Sequence, residues 1–266
     1  MSTRWFILTA LLGTSVAGAI ARANDSSALL EAGGLVFTIS KDVSMESEEL
    51  WIGRELVRVS YVFKNTGPAN VKTEVAFPVP GLPVCDEDNE SECESDMQVR
   101  AGGNPMMFKV SVDGRPTDFK TDKKTEMNGG VGKILYTHHW EQIFPKDKPV
   151  RISHEYVPIA GGFFTNTTRA FEKAMSETYC VGPKLIKELE GREQYVRTVH
   201  YILTTGANWK GPIKFFKLTI AKESPKDKVS VCLPDTRRVS ATTFEVVREN
   251  FVPAQDLKIL FIPANQ

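Results

Sequence analysis

The chain has 266 residues, with 33 basic side chains, 33 acidic side chains and four cysteines. Removing the first 23 residues, for the reasons given next, takes away Arg4 and Arg22 and leaves a net charge of −2. That balance excludes a nucleic-acid or anionic-membrane binder that works by bulk electrostatics. The other 243 residues can form one large or two small hydrophobic cores.

The N-terminus predicts a cleavable signal peptide. Arg4 supplies a positive charge, and residues 5–21 contain no charged side chain. The ARA triplet at 21–23 has the small residues that a signal peptidase requires, so we expect cleavage between Ala23 and Asn24. An uncleaved anchor helix is the alternative. No later apolar stretch approaches about 18 residues, so we expect no membrane span after cleavage and a periplasmic or secreted protein.

Four cysteines in an exported chain predict two disulfides, for which three pairings exist. We favour Cys85 with Cys93, which closes a short loop, and Cys180 with Cys232, which joins two distant segments. A reactive thiol is the alternative, but none of the four lies in a C-x-x-C motif or beside a histidine.

Alternating apolar and polar residues predict the first clear strand at residues 57–64, with one buried and one solvated face. The following strand-like segment ends where Pro78 and Pro80 interrupt it, because proline cannot donate to a strand ladder. The turn sequence NTGP at 65–68 lies between the two segments. Residues 56–79 are therefore predicted to form a hairpin.

Further strands are predicted at residues 108–112, 134–144, 150–157, 195–205, 213–221, 229–232, 243–247 and 257–262. The sequence PKDKP at 145–149 is predicted to join its two flanking strands as a second hairpin. Short strands separated by Gly, Pro and Asn indicate a mainly all-β, β-sandwich-like fold.

Helical signals are confined to residues 161–192, where Phe171, Ala174 and Met175 have helical spacing and Pro183 and Gly191 delimit a second helix. The predicted organisation is a signal peptide at 1–23, an N-terminal β-sandwich-like unit at 24–160, a helical connector at 161–192 and a C-terminal β unit at 193–266 packed on the first. A single interwoven sandwich is the alternative.

Several motifs together resemble one protein family. They are NDSSA at 24–28, FPVP at 77–80, HWEQIFP at 139–145 and TGANW at 205–209. As a set they are similar to a bacterial exported family described as a domain of unknown function. The resemblance implies a bacterial, Gram-negative periplasmic protein, and it brings no catalytic residues.

The acidic loop between Cys85 and Cys93 is a candidate calcium site. Asp86, Asp88 and Glu90 place carboxylates at alternate positions, and carboxylate oxygens are the ligands that calcium prefers. The loop lacks the glycine and the ordered spacing of an EF-hand. A solvated hairpin tip is the alternative.

Three histidines fall on the second predicted hairpin. In the expected register Trp140 faces His154, so the imidazoles of His138 and His154 become neighbours on one face. Zinc usually takes three or four protein ligands. Because alternation puts the adjacent glutamates on the opposite face, we favour packed histidines over a metal site.

Tryptophans are the remaining site candidates. Trp209 follows Asn208 in a predicted turn, so Trp209, Trp51 and Asn208 are candidate ligand contacts. A loop tryptophan can instead fill the end of a sandwich core.

The sequence contains no G-x-S-x-G motif and singles out no carboxylate pair. We therefore expect a non-enzymatic binding or assembly role in the bacterial cell envelope, with an envelope protein or glycan as partner and no cofactor. The alternatives are an envelope hydrolase with a motif-less carboxylate pair and a carbohydrate-binding module that uses Trp209 and Trp51.

Overall fold

The computed structural model describes residues 36–37, 41–78, 82–83, 104, 106–128, 131–158, 161–165, 169–191, 194–204 and 208–264. Strands predominate in these ranges. The two helices that the structure describes lie within residues 169–189. The predicted all-β, sandwich-like fold with a short helical connector is confirmed.

The strands in chain order are β1 (Val36–Phe37), β2 (Val43–Ile52), β3 (Val57–Asn65), β4 (Val71–Pro78), β5 (Leu82–Pro83), β6 (Lys109–Val112), β7 (Arg115–Pro116), β8 (Lys120–Asn128), β9 (Val131–Phe144), β10 (Pro149–Tyr156), β11 (Gly161–Phe164), β12 (Tyr195–Tyr201), β13 (Ile213–Ala221), β14 (Lys228–Val231), β15 (Arg237–Arg238), β16 (Thr243–Phe251) and β17 (Leu257–Ile262). The helices are α1 (Arg169–Tyr179) and α2 (Pro183–Leu189).

The largest sheet, which we call the main sheet, has the strand order β15-β16-β13-β2-β3-β10-β6-β7. Its strands are antiparallel except that β13 runs parallel to β2. Strands from both sides of the helical connector therefore share one sheet. The main sheet thus contains strands from before and after residues 161–192, and the division of the chain into two β units stays a prediction.

Two smaller sheets pack on one face of the main sheet. The second sheet contains β1, β4, β9, β5 and β8, and the third contains β11, β12, β17 and β14. Side chains of all three sheets form one hydrophobic core. The far face of the third sheet is covered by the two helices, where Met175 and Leu189 pack with Val196 and Leu260.

Alternation along β3 explains why its chain segment forms a strand with one buried face. Val57, Val59, Tyr61 and Phe63 are each no more than 2% exposed, and the polar residues between them face outward. Full burial of such a side chain contributes about 1.5 to 3 kcal/mol. The strand is therefore held in register by its inward face.

Both predicted hairpins are wrong. Strands β3 and β4 belong to different sheets, and so do β9 and β10, so each turn carries the chain from one layer of the sandwich to the other. The Asn65 side chain links the two crossings, because its Nδ2 donates to the carbonyls of Ala69 at 2.8 Å and Phe144 at 2.9 Å. Consecutive strands thus turn their buried faces toward each other across the core.

Candidate ligand-binding groove

The outward face of the main sheet carries a groove whose floor is made of serines. Strand register places Ser60 of β3 beside Ser153 of β10, and Ser153 beside Ser111 of β6. Because alternate residues of neighbouring strands share a face, the three hydroxyls form a row across the sheet. Small side chains in this row leave a groove of about 830 Å³, within the usual size range of small-molecule sites.

Larger side chains form one wall in the adjacent row. Trp51, Arg58, Glu155 and Lys109 are consecutive cross-strand neighbours on β2, β3, β10 and β6. The Arg58 guanidinium lies over the Trp51 ring, 5.3 Å from its centroid. Gly53 leaves room for this ring, because a Cβ there would lie 2.8 Å from Trp51 Cη2. Trp51 is therefore held in place and partly exposed at the groove.

The charged members of this wall are paired with one another. Arg58 Nε donates to Glu155 Oε2 at 3.0 Å, and Lys109 Nζ lies 3.6 Å from Glu155 Oε1. The hydrogen bond from Arg58 is the main cause that lowers the pKa of the Glu155 carboxyl. Exposed pairs of this kind contribute little to stability. They shape the wall and keep Glu155 ionised.

The ends of the groove differ in character. Pro116, Thr117 and Phe119 close the end beside β6. At the other end Lys217 of β13 is the cross-strand neighbour of Glu49, and its Nζ binds Glu245 Oε1 at 2.9 Å. The groove is thus bounded by apolar groups at one end and by charged groups at the other.

Ser60 is the centre of a small hydrogen-bond network on the floor. Arg151 Nη1 donates to Ser60 Oγ at 3.2 Å, and Ser153 Oγ donates to the same atom at 3.3 Å. The Ser60 oxygen therefore accepts two hydrogen bonds. Its own proton is left to donate elsewhere, because a hydroxyl has one proton and two acceptor lone pairs.

Of the three predicted ligand contacts, the structure brings only Trp51 to the groove. Trp209 is 4% exposed and packs against Phe63 with the ring centroids 4.1 Å apart and the ring planes tilted by 37°, so it fills the core instead of presenting a binding face. Asn208 precedes it and is half-buried. Trp51 and Trp209 therefore lie on opposite faces of the main sheet and do not form one binding surface.

His138 and His154 both point into the core but come from different sheets, so they do not lie side by side on one hairpin as expected. His154 and Trp140 come from different sheets and meet edge to face at 5.6 Å, while His138 of β9 stacks on Phe108 at 5.1 Å. Burial lowers the pKa of His154 to about 3. Burial, helped by the charge of His139, lowers the pKa of His138 to about 4. Both imidazoles are therefore neutral packing groups.

His139 faces the other way, on the surface of the second sheet. Its ring binds Glu74 through Nδ1, and its Nε2 lies 3.4 Å from Asp122 Oδ2. No group of three or more metal-ligating side chains occurs within the part of the chain that the structure describes.

Glu48 is a buried carboxylate that no motif in the sequence singles out. It is 2% exposed on the inward face of β2, where its Oε1 accepts a hydrogen bond from Tyr201 Oη at 2.9 Å. Tyr201 Oη in turn lies 2.6 Å from Tyr61 Oη. Burial raises the pKa of Glu48 to about 8, although the bond from Tyr201 acts in the opposite direction. Leu50 and Ile52 are buried apolar residues of β2, and the alternation of the strand places Glu48, two residues before Leu50, on the same inward face. This pattern is the sequence signal for its burial.

Of the remaining predicted sites, the structure describes one disulfide and does not describe the calcium candidates or the cleavage site. Cys180 and Cys232 form a disulfide that spans 52 residues. Cys85, Cys93, the calcium candidates Asp86, Asp88 and Glu90, and the cleavage pair Ala23 and Asn24 lie outside the described residues. Within the described ranges, no helix is long and apolar enough to cross a membrane.

The sequence profile of a family described as "Domain of unknown function (DUF4424)" matches residues 23–132 and 133–260. The chain belongs to this family. The family-level resemblance inferred from the sequence motifs is therefore confirmed, while the individual motifs stay untested. No curated protein matches the chain.

Two solved structures show how this DUF4424 fold compares with others. A Legionella pneumophila protein named a "putative nutrient binding protein" is 18% identical, with a TM-score of 0.54 over 87% of this chain and 70% of that one. At that identity the likeness shows the fold alone. An M1 zinc metallopeptidase from Deinococcus radiodurans is 7% identical, with a TM-score of 0.35 over 84% of this chain and 43% of that one, and supports no inference.

Proposed function

We propose that this protein is an exported binding protein of the bacterial cell envelope that holds a small polar ligand in the groove of the main sheet. The observation that carries the proposal is the row of Ser60, Ser153 and Ser111 at the base of a groove of about 830 Å³. Such a floor offers several hydroxyl donors and acceptors in one plane beside an indole ring.

The ring of Trp51 supports binding of a ligand that also has an apolar part. Sites for small molecules commonly combine an aromatic surface with a few placed polar groups, which fix the orientation of the ligand. Arg58 and Gly53 hold the ring from two sides, so little side-chain freedom remains to be lost when a ligand contacts it. The name of the Legionella pneumophila protein of similar fold is consistent with a binding role.

Export is supported by two independent features of the chain. Residues 1–23 have the charge distribution and the ARA triplet of a signal peptide. Cys180 and Cys232 form a disulfide, and disulfides persist mainly in oxidising compartments such as the periplasm. N-terminal sequencing of the protein from a periplasmic extract is expected to begin at Asn24, and a sequence that begins at Met1 would contradict export with cleavage.

A binding role also fits the acid–base chemistry of the groove better than hydrolysis does. Glu155 is tied to two cations and its pKa is lowered, which suits an ion pair and does not suit a general acid. Glu48, whose pKa is raised, points into the core on the other face of the sheet. A substrate in the groove could not reach it.

The test uses the mature chain, residues 24–266, and the position of its tryptophans. Trp140 and Trp209 are 5% and 4% exposed, so a ligand in the groove should change the emission of Trp51 above all. We expect isothermal titration with amino acids, sugars, organic acids and short peptides to give saturable binding for one class, together with a change in emission.

Trp51→Phe is the matched variant for this test. It keeps an aromatic ring in the wall but removes the reporter, so binding heat should persist while the emission change disappears. Heat without any Trp51-dependent change in emission would place the ligand elsewhere. No binding by any class would contradict the proposed function.

A further inference from the structure

Glu49 lines the groove, and Arg151 lies beside its serine floor without being part of the lining; within the described residues neither has an ionic partner. The other charged groups of the groove form pairs: Arg58 and Lys109 bind Glu155, and Lys217 binds Glu245. In contrast, the exposed side chains of Glu49 and Arg151 form no ion pair with any residue that the structure describes. A carboxylate in the groove and a guanidinium beside its floor are therefore available for a ligand.

These two groups flank the same serine. Glu49 of β2 is the direct cross-strand neighbour of Ser60. Arg151 approaches Ser60 from β10, with its Nη1 3.2 Å from Ser60 Oγ. Directly opposed residues in antiparallel strands have Cβ atoms about 4.5 to 5.5 Å apart. A negative and a positive group thus stand on either side of one hydroxyl, within the span of a small molecule.

The hydroxyl itself favours an anionic acceptor. Ser60 Oγ already accepts hydrogen bonds from Arg151 and Ser153, so its proton can be donated into the groove. A hydrogen bond from this proton to a carboxylate, beside a guanidinium, is of the charge-assisted kind that is stronger than a neutral one. A ligand carboxylate would therefore lie between Ser60 and Arg151.

We infer that the ligand of the groove is a free α-amino acid; this inference rests on the proposed function. Its carboxylate binds Arg151 and the Ser60 hydroxyl, and its ammonium group binds Glu49. Trp51 lies two residues from Glu49 on the same face of β2, so the ring is placed to contact the amino-acid side chain. A neutral sugar would leave both Glu49 and Arg151 without a partner.

The experiment titrates the mature protein with the standard amino acids one at a time. The strongest of them is then compared with two analogues, the amine that lacks its carboxylate and the acid that lacks its amino group. Because a hydrogen bond to a charged group is worth about 1.5 kcal/mol or more, each analogue is expected to bind at least about tenfold more weakly.

Two variants, each lacking one charge, test which protein group binds the carboxylate and which binds the ammonium group. Arg151→Gln should weaken the amino acid about tenfold and leave the amine unchanged, and Glu49→Gln should weaken it about tenfold and leave the acid unchanged. Arg237→Gln and Glu249→Gln remove exposed charges elsewhere on the main sheet and should change nothing. Thermal melting of each variant checks that folding is retained.

The outcomes separate the two proposals. Equal binding of the amino acid and both analogues would overturn the inference that the ligand is an α-amino acid. Saturable, Trp51-dependent binding of a sugar alone would overturn it as well. In both cases the proposed binding function would stand. Absence of binding by every class would overturn both proposals.

Discussion

The two faces of the main sheet are built by the same strands but have opposite chemistry. On β3, Tyr61 and Phe63 point into a core of aromatic rings, whereas Arg58 and Ser60 point into the groove. The ionisable groups of the inward face are held neutral by burial, and those of the outward face are charged and mostly paired. Stability should therefore depend on the inward face, and binding on the outward one.

Truncating a side chain on the inward face should reduce stability the most. Phe63 is fully buried and contacts Phe144 and Trp209 at ring-centroid distances of 5.6 and 4.1 Å. Phe63→Ala should lower the free energy of unfolding by about 3 to 5 kcal/mol, because it removes apolar contacts and leaves a cavity. Urea denaturation measures this value. A loss under about 1 kcal/mol would show that β3 does not pack as described.

The next effect is acid destabilisation through His154. The folded protein holds this imidazole neutral down to about pH 3, whereas in the unfolded chain it binds a proton near pH 6.5. Stability is therefore lost as the pH falls below 6.5. Over the two pH units below that value the loss from His154 amounts to about 2 kcal/mol. Urea denaturation at several pH values is expected to show a smaller acid slope for His154→Leu than for the wild type, and equal slopes would contradict a buried neutral His154.

Glu48 predicts a loss of stability in the opposite direction. The folded protein keeps this carboxyl protonated up to about pH 8, whereas the unfolded chain releases the proton near pH 4.5. The protonated Glu48 carboxyl therefore stabilises the fold at low pH, and this stabilisation is lost as the pH rises from about 4.5 to about 8. From pH 6.5 to pH 8 we expect the wild type to lose about 2 kcal/mol.

Glu48→Gln is the matched variant, because its amide oxygen can still accept the hydrogen bond from Tyr201. Denaturation curves at these two pH values should show little change for the variant. A decline as steep as that of the wild type would mean that Glu48 is not the group responsible. With the histidine contribution, the wild type is expected to be most stable near pH 6.5.

The smallest effect is expected on the outward face. Arg58→Gln breaks the pair with Glu155, whose two side chains are 56% and 40% exposed. The loss in unfolding free energy should be under about 1 kcal/mol and smaller still in high salt, because exposed pairs are screened. Denaturation at low and high salt tests this. A loss that matches that of Phe63→Ala would erase the distinction between the two faces.

Several elements could be predicted from sequence because their signal is local. Strands β13 and β17 have the predicted bounds, since alternation and flanking turn residues mark both ends. The two hairpins failed because a strand–turn–strand sequence is the same whether the strands pair in one sheet or cross between layers. Which arrangement forms depends on the distant strands with which each segment pairs, and the local sequence carries no signal for them.

The groove shows the same limit. Trp51 could be singled out by its size and amphipathic character alone. Ser60 and Ser153 are separated by 93 residues in the chain, and serine is an ordinary outward residue in a strand. Their significance arises only when β3 and β10 pair. Glu48 sits just after an irregularity in the pairing of β2 with β3 between Met45 and Ser47, where simple alternation from the strand start places it on the wrong face.

If the ligand lies in the serine-floored groove, a bulky side chain on the floor should exclude it. Ser153→Phe places a large ring on the floor without touching the core, while Ser176→Phe adds the same ring on the exposed side of α1. Calorimetric titration with the ligand found by screening should show binding abolished by Ser153→Phe and unchanged by Ser176→Phe. Unchanged binding by Ser153→Phe would show that the ligand binds outside the groove.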